Sequence, residues 1–120
     1  MERTRGFCQN HLQGACSPTP AAFTDPVHAY PHGECAAITG GAYVPDNTWP
    51  ASFTRTYLFG DFVSGKIFVL SSSGVSTEFA TGLGNYSVVD LEFGPAGLGL
   101  ALYYLTYADG GGVRRITYSP

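Results

Sequence analysis

The chain has 120 residues, of which 12% are charged and 14% aromatic, and its formal net charge is −3 at pH 7. This composition predicts one folded domain and argues against disorder, which requires high charge and few aromatic residues. The six Lys and Arg residues form no basic cluster in the sequence. We therefore expect no nucleic-acid partner, because binding phosphates requires a basic surface.

The sequence also shows neither a membrane-spanning segment nor an export signal. No stretch is long and apolar enough to predict a membrane-spanning segment. The first eight residues contain no apolar signal-peptide core. If the protein is exported, we expect that its signal was removed or that this sequence starts inside a longer gene.

Residues 1–35 are predicted to form an irregular arm or linker. Four prolines between residues 18 and 31 interrupt any helix, and no periodic apolar pattern is present. Cys8 and Cys16 lie close together in this arm, and a local disulfide between them is one alternative. That pairing leaves Cys35 free or intermolecular. Metal binding by all three cysteines is another alternative, although no Cys-x-x-Cys spacing supports it.

Beyond the arm, the sequence predicts seven short strands and no helix. Runs rich in β-branched and aromatic residues alternate with glycine-containing turns. The predicted strands are residues 37–44, 56–62, 66–71, 75–80, 87–93, 101–107 and 112–118. Four antiparallel strands form one blade of a β-propeller. We therefore predict an all-β partial propeller with a first blade at residues 36–84 and a second, incomplete blade at residues 85–120.

One group of residues in the arm has the chemistry of metal ligands. His28, His32, Glu34 and Cys35 offer nitrogen, oxygen and sulfur donors suited to a transition metal such as zinc or copper. Pro31 prevents the helical geometry in which two histidines four residues apart share a face. The spacing matches no established ligand pattern, so the alternative is an ordinary loop, and we favour it.

Aromatic residues in and near the turns are candidate ligand contacts. Trp49 and Tyr43, with Tyr57 and Tyr86, have ring faces suited to stacking on the apolar faces of sugars. The alternative is packing between the blades, which we favour for Tyr57. Trp49 lies in a loop that contains two prolines, and there we predict an exposed position.

Acidic residues at the strand ends have two interpretations. Asp61 lies near the end of one predicted strand and Asp90 near the beginning of another, while Asp46 and Asn47 lie in a loop. Paired carboxylates perform acid–base chemistry or bind calcium. The alternative, which we favour, is that they accept hydrogen bonds from neighbouring turn amides.

Five runs together resemble the last blades of the glucose/sorbosone dehydrogenase family. They are Ile-Thr-Gly-Gly-Ala-Tyr (residues 38–43), Leu-Phe-Gly-Asp-Phe (58–62), Gly-Lys-Ile-Phe (65–68), Asp-Leu-Glu-Phe-Gly-Pro (90–95) and Leu-Tyr-Tyr-Leu-Thr (102–106). This family is similar to the soluble quinoprotein sugar dehydrogenases. The resemblance covers nearly the whole chain. It implies a six-bladed propeller, a bacterial extracellular or periplasmic protein, a link to carbohydrates, and pyrroloquinoline quinone and calcium as family cofactors.

The residues that hold the quinone in this family are not matched here. The resemblance places Val63, Ser87 and Val89 where catalytic members carry one Lys and two Arg. The quinone carboxylates need such cations as partners. The family's general-base His and calcium ligands lie upstream of the matched segment. We therefore expect a carbohydrate-related binding or scaffold module that has lost the quinone site. The alternatives are a carbohydrate-active oxidoreductase, metal-dependent through His28 and His32, and a folded remnant without activity.

The resemblance also bears on the third cysteine and on assembly. Relatives can carry a cysteine in the hairpin that faces the position of Cys35, and Ser64 stands there in this chain, which implies an unpaired Cys35. Two blades cannot close a ring, and exposed strand edges pair with other chains. We therefore expect either the missing blades as partners or self-association, with three copies rebuilding a ring of six blades.

Overall fold

The computed structural model describes residues 24–119, which form seven β-strands. The strands are β1 (Ile38–Tyr43), β2 (Tyr57–Asp61), β3 (Lys66–Leu70), β4 (Ser76–Ala80), β5 (Leu91–Ala96), β6 (Gly99–Thr106) and β7 (Gly112–Ile116). Two three-residue 3₁₀ turns, Ala51–Phe53 and Ala108–Gly110, are the only helical segments in this part of the chain. Within residues 24–119, no helix has the length and apolar character needed to cross a membrane.

The strands form two antiparallel meanders. The first sheet has four strands in the order β1-β2-β3-β4, and the second has three in the order β5-β6-β7. Within each sheet, each strand pairs with its sequence neighbours, and glycine-containing turns connect all of these pairs except β1 and β2. The predicted all-β class, with antiparallel strands in two blade-like sheets, is confirmed. The described residues form no closed propeller. The predicted Cys8–Cys16 disulfide lies outside them.

The fifth strand differs most from its prediction. Residues 87–93 were expected to form it, with Gly94 and Pro95 ending the run, but β5 spans Leu91–Ala96. Pro95 lies inside the strand and pairs with Leu100 of β6. The strand tolerates this proline because β5 is an edge strand, where a missing backbone donor leaves no neighbour unpaired.

The two sheets share one apolar core. Leu58 and Ile67 from the first sheet are fully buried against Val88 and Leu102 from the second unit. Side chains alternate between the two faces of a strand, so these residues mark the inner face of each sheet. Burying a side chain of this size contributes about 1.5–3 kcal/mol. The sheets are therefore held face to face by apolar packing.

The double glycine of β1 belongs to this contact between the units. A Cβ at Gly40 would collide with the carboxylate of Asp90. The neighbouring Thr39 hydroxyl donates a hydrogen bond of 2.8 Å to the Val88 carbonyl. The first strand of one unit thus meets the entry to the next at backbone distance, which requires a residue without a side chain.

The outer face of the first sheet is covered in part by the described end of the arm. Phe59 and Phe68 stack on each other on this face, with ring centroids 5.3 Å apart. His28 packs on Phe59 at 5.6 Å, and Tyr30 packs on Phe68 at 6.3 Å. The arm therefore lies where a further sheet would stack.

Candidate functional site

A cleft of about 1070 Å³ opens on the outer face of the first sheet, beside the arm. Strand β1 forms one side of it, and the turn between β3 and β4 contributes residues 71–74. Tyr57, Phe59 and Leu70 give the cleft an apolar base. A concave, mostly apolar surface with a few polar groups is the usual form of a ligand site.

Two tyrosines form an aromatic wall of this cleft. Tyr43 and Tyr57 face each other across β1 and β2, with ring centroids 4.9 Å apart and the rings inclined by 65°. The Tyr57 ring lies against Gly41, where a Cβ would overlap the phenol. Tyr43 is 72% exposed, so its ring is open to a ligand. The Gly-Gly-Ala-Tyr run thus shapes the cleft as well as the contact between the sheets.

Polar groups without a protein partner converge on the same cleft. Within residues 24–119, the Arg55 guanidinium forms no ion pair, and the Tyr43, Tyr57 and Ser72 hydroxyls form no hydrogen bond. Arg55 also has a left-handed backbone, with φ of 62°. That conformation is uncommon for a residue with a side chain and costs about 1 kcal/mol or more. The cleft therefore combines aromatic surface with free hydrogen-bonding groups.

Asp61 lies outside the cleft, at the centre of a buried polar network. Its carboxylate is fully buried and accepts hydrogen bonds from the Tyr30 hydroxyl, from the Ala37 amide at 3.0 Å, and from the amide and hydroxyl of Ser64 at 2.9 and 3.1 Å. Burial acts to raise the pKa of Asp61, but the hydrogen bonds from Tyr30, Ser64 and Ala37 outweigh it and hold the pKa below its usual value. The bond from the Ser64 amide is the role that we favoured from the sequence, in which the carboxylate accepts from a neighbouring turn amide. The bond from Tyr30 in addition ties the arm to the β2–β3 hairpin.

Cys35 and Tyr30 extend the same network. Cys35 is a free cysteine, and its thiol donates to the Ser64 hydroxyl at 3.3 Å. Burial and the adjacent Asp61 carboxylate raise the pKa of Tyr30, so the phenol stays protonated and donates. The contact between Cys35 and Ser64 is the one implied by the family resemblance.

The residues proposed as metal ligands have other partners. Glu34 binds the Lys66 ammonium at 2.6 Å, and Lys66 also binds Glu78 at 2.8 Å. Hydrogen bonds to these two carboxylates raise the pKa of Lys66. His28 contacts the rings of Tyr30 and Phe59. Across residues 24–119, no three His, Cys, Asp or Glu side chains are grouped closely enough to hold a metal ion, so His28, His32 and Glu34 do not form a ligand set in this structure.

Trp49 is partly buried, packs against the core between the sheets and does not line the cleft. Its ring stacks on Phe79 at 5.6 Å and packs edge-on against Phe53 and Phe93. Its indole N–H is buried and has no hydrogen-bond partner among the described residues. This position matches the packing alternative, because the loop folds back over the inner face of the sheets. Tyr86 is half exposed and packs on Phe62.

The three positions that the resemblance assigns to the quinone come from two adjacent segments. The Tyr86 amide donates to the Val63 carbonyl at 3.4 Å, which brings the β2–β3 turn beside the stretch that precedes β5. Ser87 is 3% exposed, and its hydroxyl donates to the Asn85 carbonyl at 3.4 Å. The Val89 amide is bonded to Leu105. None of these side chains offers a cation to a carboxylate, so they do not fit the quinone.

The sequence pattern did not point to Arg55 or to the serines at 71–73 as site residues. Arg55 lies two residues before β2, and the serines follow β3. The register places them together, because Tyr57 pairs with Tyr43 on one side and with Leu70 on the other. An isolated arginine and a serine-rich turn carry no motif.

No protein-family model, no curated protein and no solved structure matches this chain.

Proposed function

We propose that this chain is a carbohydrate-related binding or scaffold module, built as a two-sheet segment of a sugar-dehydrogenase-like propeller. The observation that carries the proposal is the cleft on the first sheet. Its Tyr43–Tyr57 wall suits the apolar face of a sugar ring, and the Arg55 and Ser72 groups suit its hydroxyls. A sugar there gains stacking and hydrogen bonds together.

The arrangement of the two units supports the relationship to that family. The four-plus-three strand count fits one blade and most of another. Segments that the resemblance assigns to one cofactor site lie side by side, through the Tyr86–Val63 hydrogen bond. Val63, Ser87 and Val89 leave that place without positive charge. The proposal therefore includes no quinone bound by this segment. A bacterial, extracellular or periplasmic origin rests on the resemblance alone.

The binding proposal is tested by titrating the full chain with mono- and oligosaccharides while recording amide chemical shifts. We expect shifts confined to β1, β2 and the turn at residues 71–74. Tyr43→Ala should weaken binding about tenfold, since losing one stacked ring costs about 1–1.5 kcal/mol. Tyr118→Ala is the matched control, because Tyr118 is half exposed and does not line the cleft. The proposal fails if no sugar shifts these residues or if both variants bind alike.

Assembly is a second part of the proposal. Three copies, each with two blade-like sheets, supply the six blades of a ring. Alternatively, a partner chain adds the missing blades to the two sheets of this chain. Stacking on the outer face of the first sheet requires that His28 and Tyr30 leave Phe59 and Phe68. Light scattering coupled to size-exclusion chromatography tests self-association: a threefold mass supports the ring, and a monomer at all concentrations rejects it.

A further inference from the structure

Among the strands of residues 24–119, the second sheet has one fewer than the first, and the edge of interest is the outer side of β7. In the order β5-β6-β7, strand β7 has β6 on one side. Among residues 24–119, no strand pairs with its other side. An edge of this kind presents unpaired backbone groups to any extended chain that approaches it.

The direction of these backbone groups follows from the hydrogen bonds of β6. The Leu105 amide donates to the Asp90 carbonyl at 3.1 Å, and the Leu105 carbonyl accepts from Val89 at 3.0 Å, so the Leu105 backbone points away from β7. Bonding sides alternate along an antiparallel pair. Val113, the partner of Leu105, therefore directs its N–H and C=O away from β6, and Arg115 does the same two residues later.

The side chains of this edge carry positive charge. Arg114 and Arg115 are both exposed and, within the described part of the chain, neither forms an ion pair. As consecutive residues of a strand, they lie on opposite faces of the sheet. Val113 beside them is 66% exposed. The outer strand of the first sheet differs from β7 in the sign of its charge, because β4 carries the exposed acid Glu78.

We propose that β7 is a docking site for an extended, acidic segment of another polypeptide, which adds as the fourth strand of the second sheet. The backbone of the incoming strand pairs with the outward groups of Val113 and Arg115. Two consecutive acidic residues on that strand also alternate between the faces, so one meets Arg114 and the other meets Arg115. Cross-strand pairs of opposite charge stabilise such an addition.

Two other occupants fit this edge less well. A second copy of β7 that pairs antiparallel about its centre sets Arg114 opposite Arg114, and like charges directly opposite destabilise a sheet. Residues 1–23 carry Arg3 and Arg5 against a single acid, Glu2, and so lack the complementary charge. Charge thus favours an external acidic strand.

The test uses the full chain and a fluorescein-labelled nine-residue peptide of strand-forming residues around a central Glu-Glu pair. Peptides with Gln-Gln or Lys-Lys at the centre are the controls. We expect saturable binding of the acidic peptide in fluorescence anisotropy. The double variant Arg114→Thr, Arg115→Thr should weaken it about tenfold, as two exposed ion pairs allow. The double variant Arg3→Thr, Arg5→Thr makes the same change in net charge outside β7 and should leave binding unchanged.

Amide hydrogen exchange locates the peptide. New protection at Val113 and Arg115 on binding supports the proposal. It is overturned if the acidic peptide does not bind, if the three peptides bind alike, or if the protection appears at β4. It is overturned equally if Val113 and Arg115 are already protected in the free chain, or become protected on dimerisation, because the edge then has another occupant or the arginines only guard it.

Discussion

A disulfide engineered between the arm and the hairpin tests the placement of the arm most directly. The Cys35 thiol and the Ser64 hydroxyl are 3.3 Å apart, across a sequence separation of 29 residues. Replacing Ser64 by Cys puts two thiols where a small side-chain adjustment forms a bond. Cys8→Ser and Cys16→Ser in the same background leave Cys35 as the only other thiol.

The size of the effect follows from the loop that the bond closes. Constraining a loop of about 30 residues in the unfolded chain stabilises the folded state by about 3.5 kcal/mol. The substitution also removes the Ser64 hydroxyl bond to Asp61, at 3.1 Å, which costs about 1.5 kcal/mol. The net gain of about 2 kcal/mol corresponds to a rise in Tm of about 8 °C for a chain of this length.

Thermal unfolding followed by circular dichroism, with and without reductant, measures this gain. Thiol titration should find two free thiols in the reduced Ser64→Cys protein and none after mild oxidation. Ser64→Ala is the control, because it loses the hydroxyl bond and cannot form the disulfide, so it should melt below the parent. Two thiols that persist after oxidation, or an oxidised form that melts no higher than the reduced one, would refute the contact between Cys35 and Ser64.

Three further predictions concern the buried network and the hairpin. Tyr30→Phe removes one donor to a carboxylate and should lower the free energy of unfolding by about 1.5 kcal/mol in urea titrations; no loss would contradict the network. The pKa of Asp61 is lower in the folded than in the unfolded chain, so its contribution is complete above about pH 4 and is lost as the pH falls through the folded pKa. The urea concentration at the unfolding midpoint should decrease as the pH is lowered through this range, and less steeply in Tyr30→Phe. Equal pH dependence in the two proteins would contradict the assignment of the lowered pKa to the Tyr30–Asp61 bond. Gly65→Ala should lower the free energy of unfolding by more than about 2 kcal/mol, because φ is 66° and the new Cβ overlaps the Gly84 carbonyl. The control Gly97→Ala, with φ of 59° and open space around the Cβ, should lower it by about 1 kcal/mol. Equal losses in the two variants would show that backbone strain alone acts and that the overlap at Gly65 does not.

Much of the fold could be predicted from the chain because strand signals are local. Runs such as Lys66–Leu70 combine β-branched and aromatic residues and end at glycine-containing turns, so both the strand and its hairpin partner follow from a few neighbouring residues. The fifth strand was misplaced for the opposite reason. Whether Pro95 ends a strand depends on whether that strand is at an edge, which is a property of the assembled sheet.

The candidate site could be predicted only in part. Tyr43 was identified from its residue type, and the cleft contains it. Trp49 was identified in the same way, but its loop folds over the core, so its ring packs on Phe79. Arg55 joins the cleft through strand register and backbone conformation, neither of which a single-residue pattern contains.

The sequence by itself determined the secondary structure class, the order of strands and turns, and the grouping into four strands and three. Short-range propensity and glycine placement are sufficient for these. Only the tertiary structure decided that Asp61 anchors the arm through Tyr30 and that, among residues 24–119, no strand lies beside the outer edge of β7. Those features depend on which distant segments meet, and that is settled by burying the faces of both sheets together in one core.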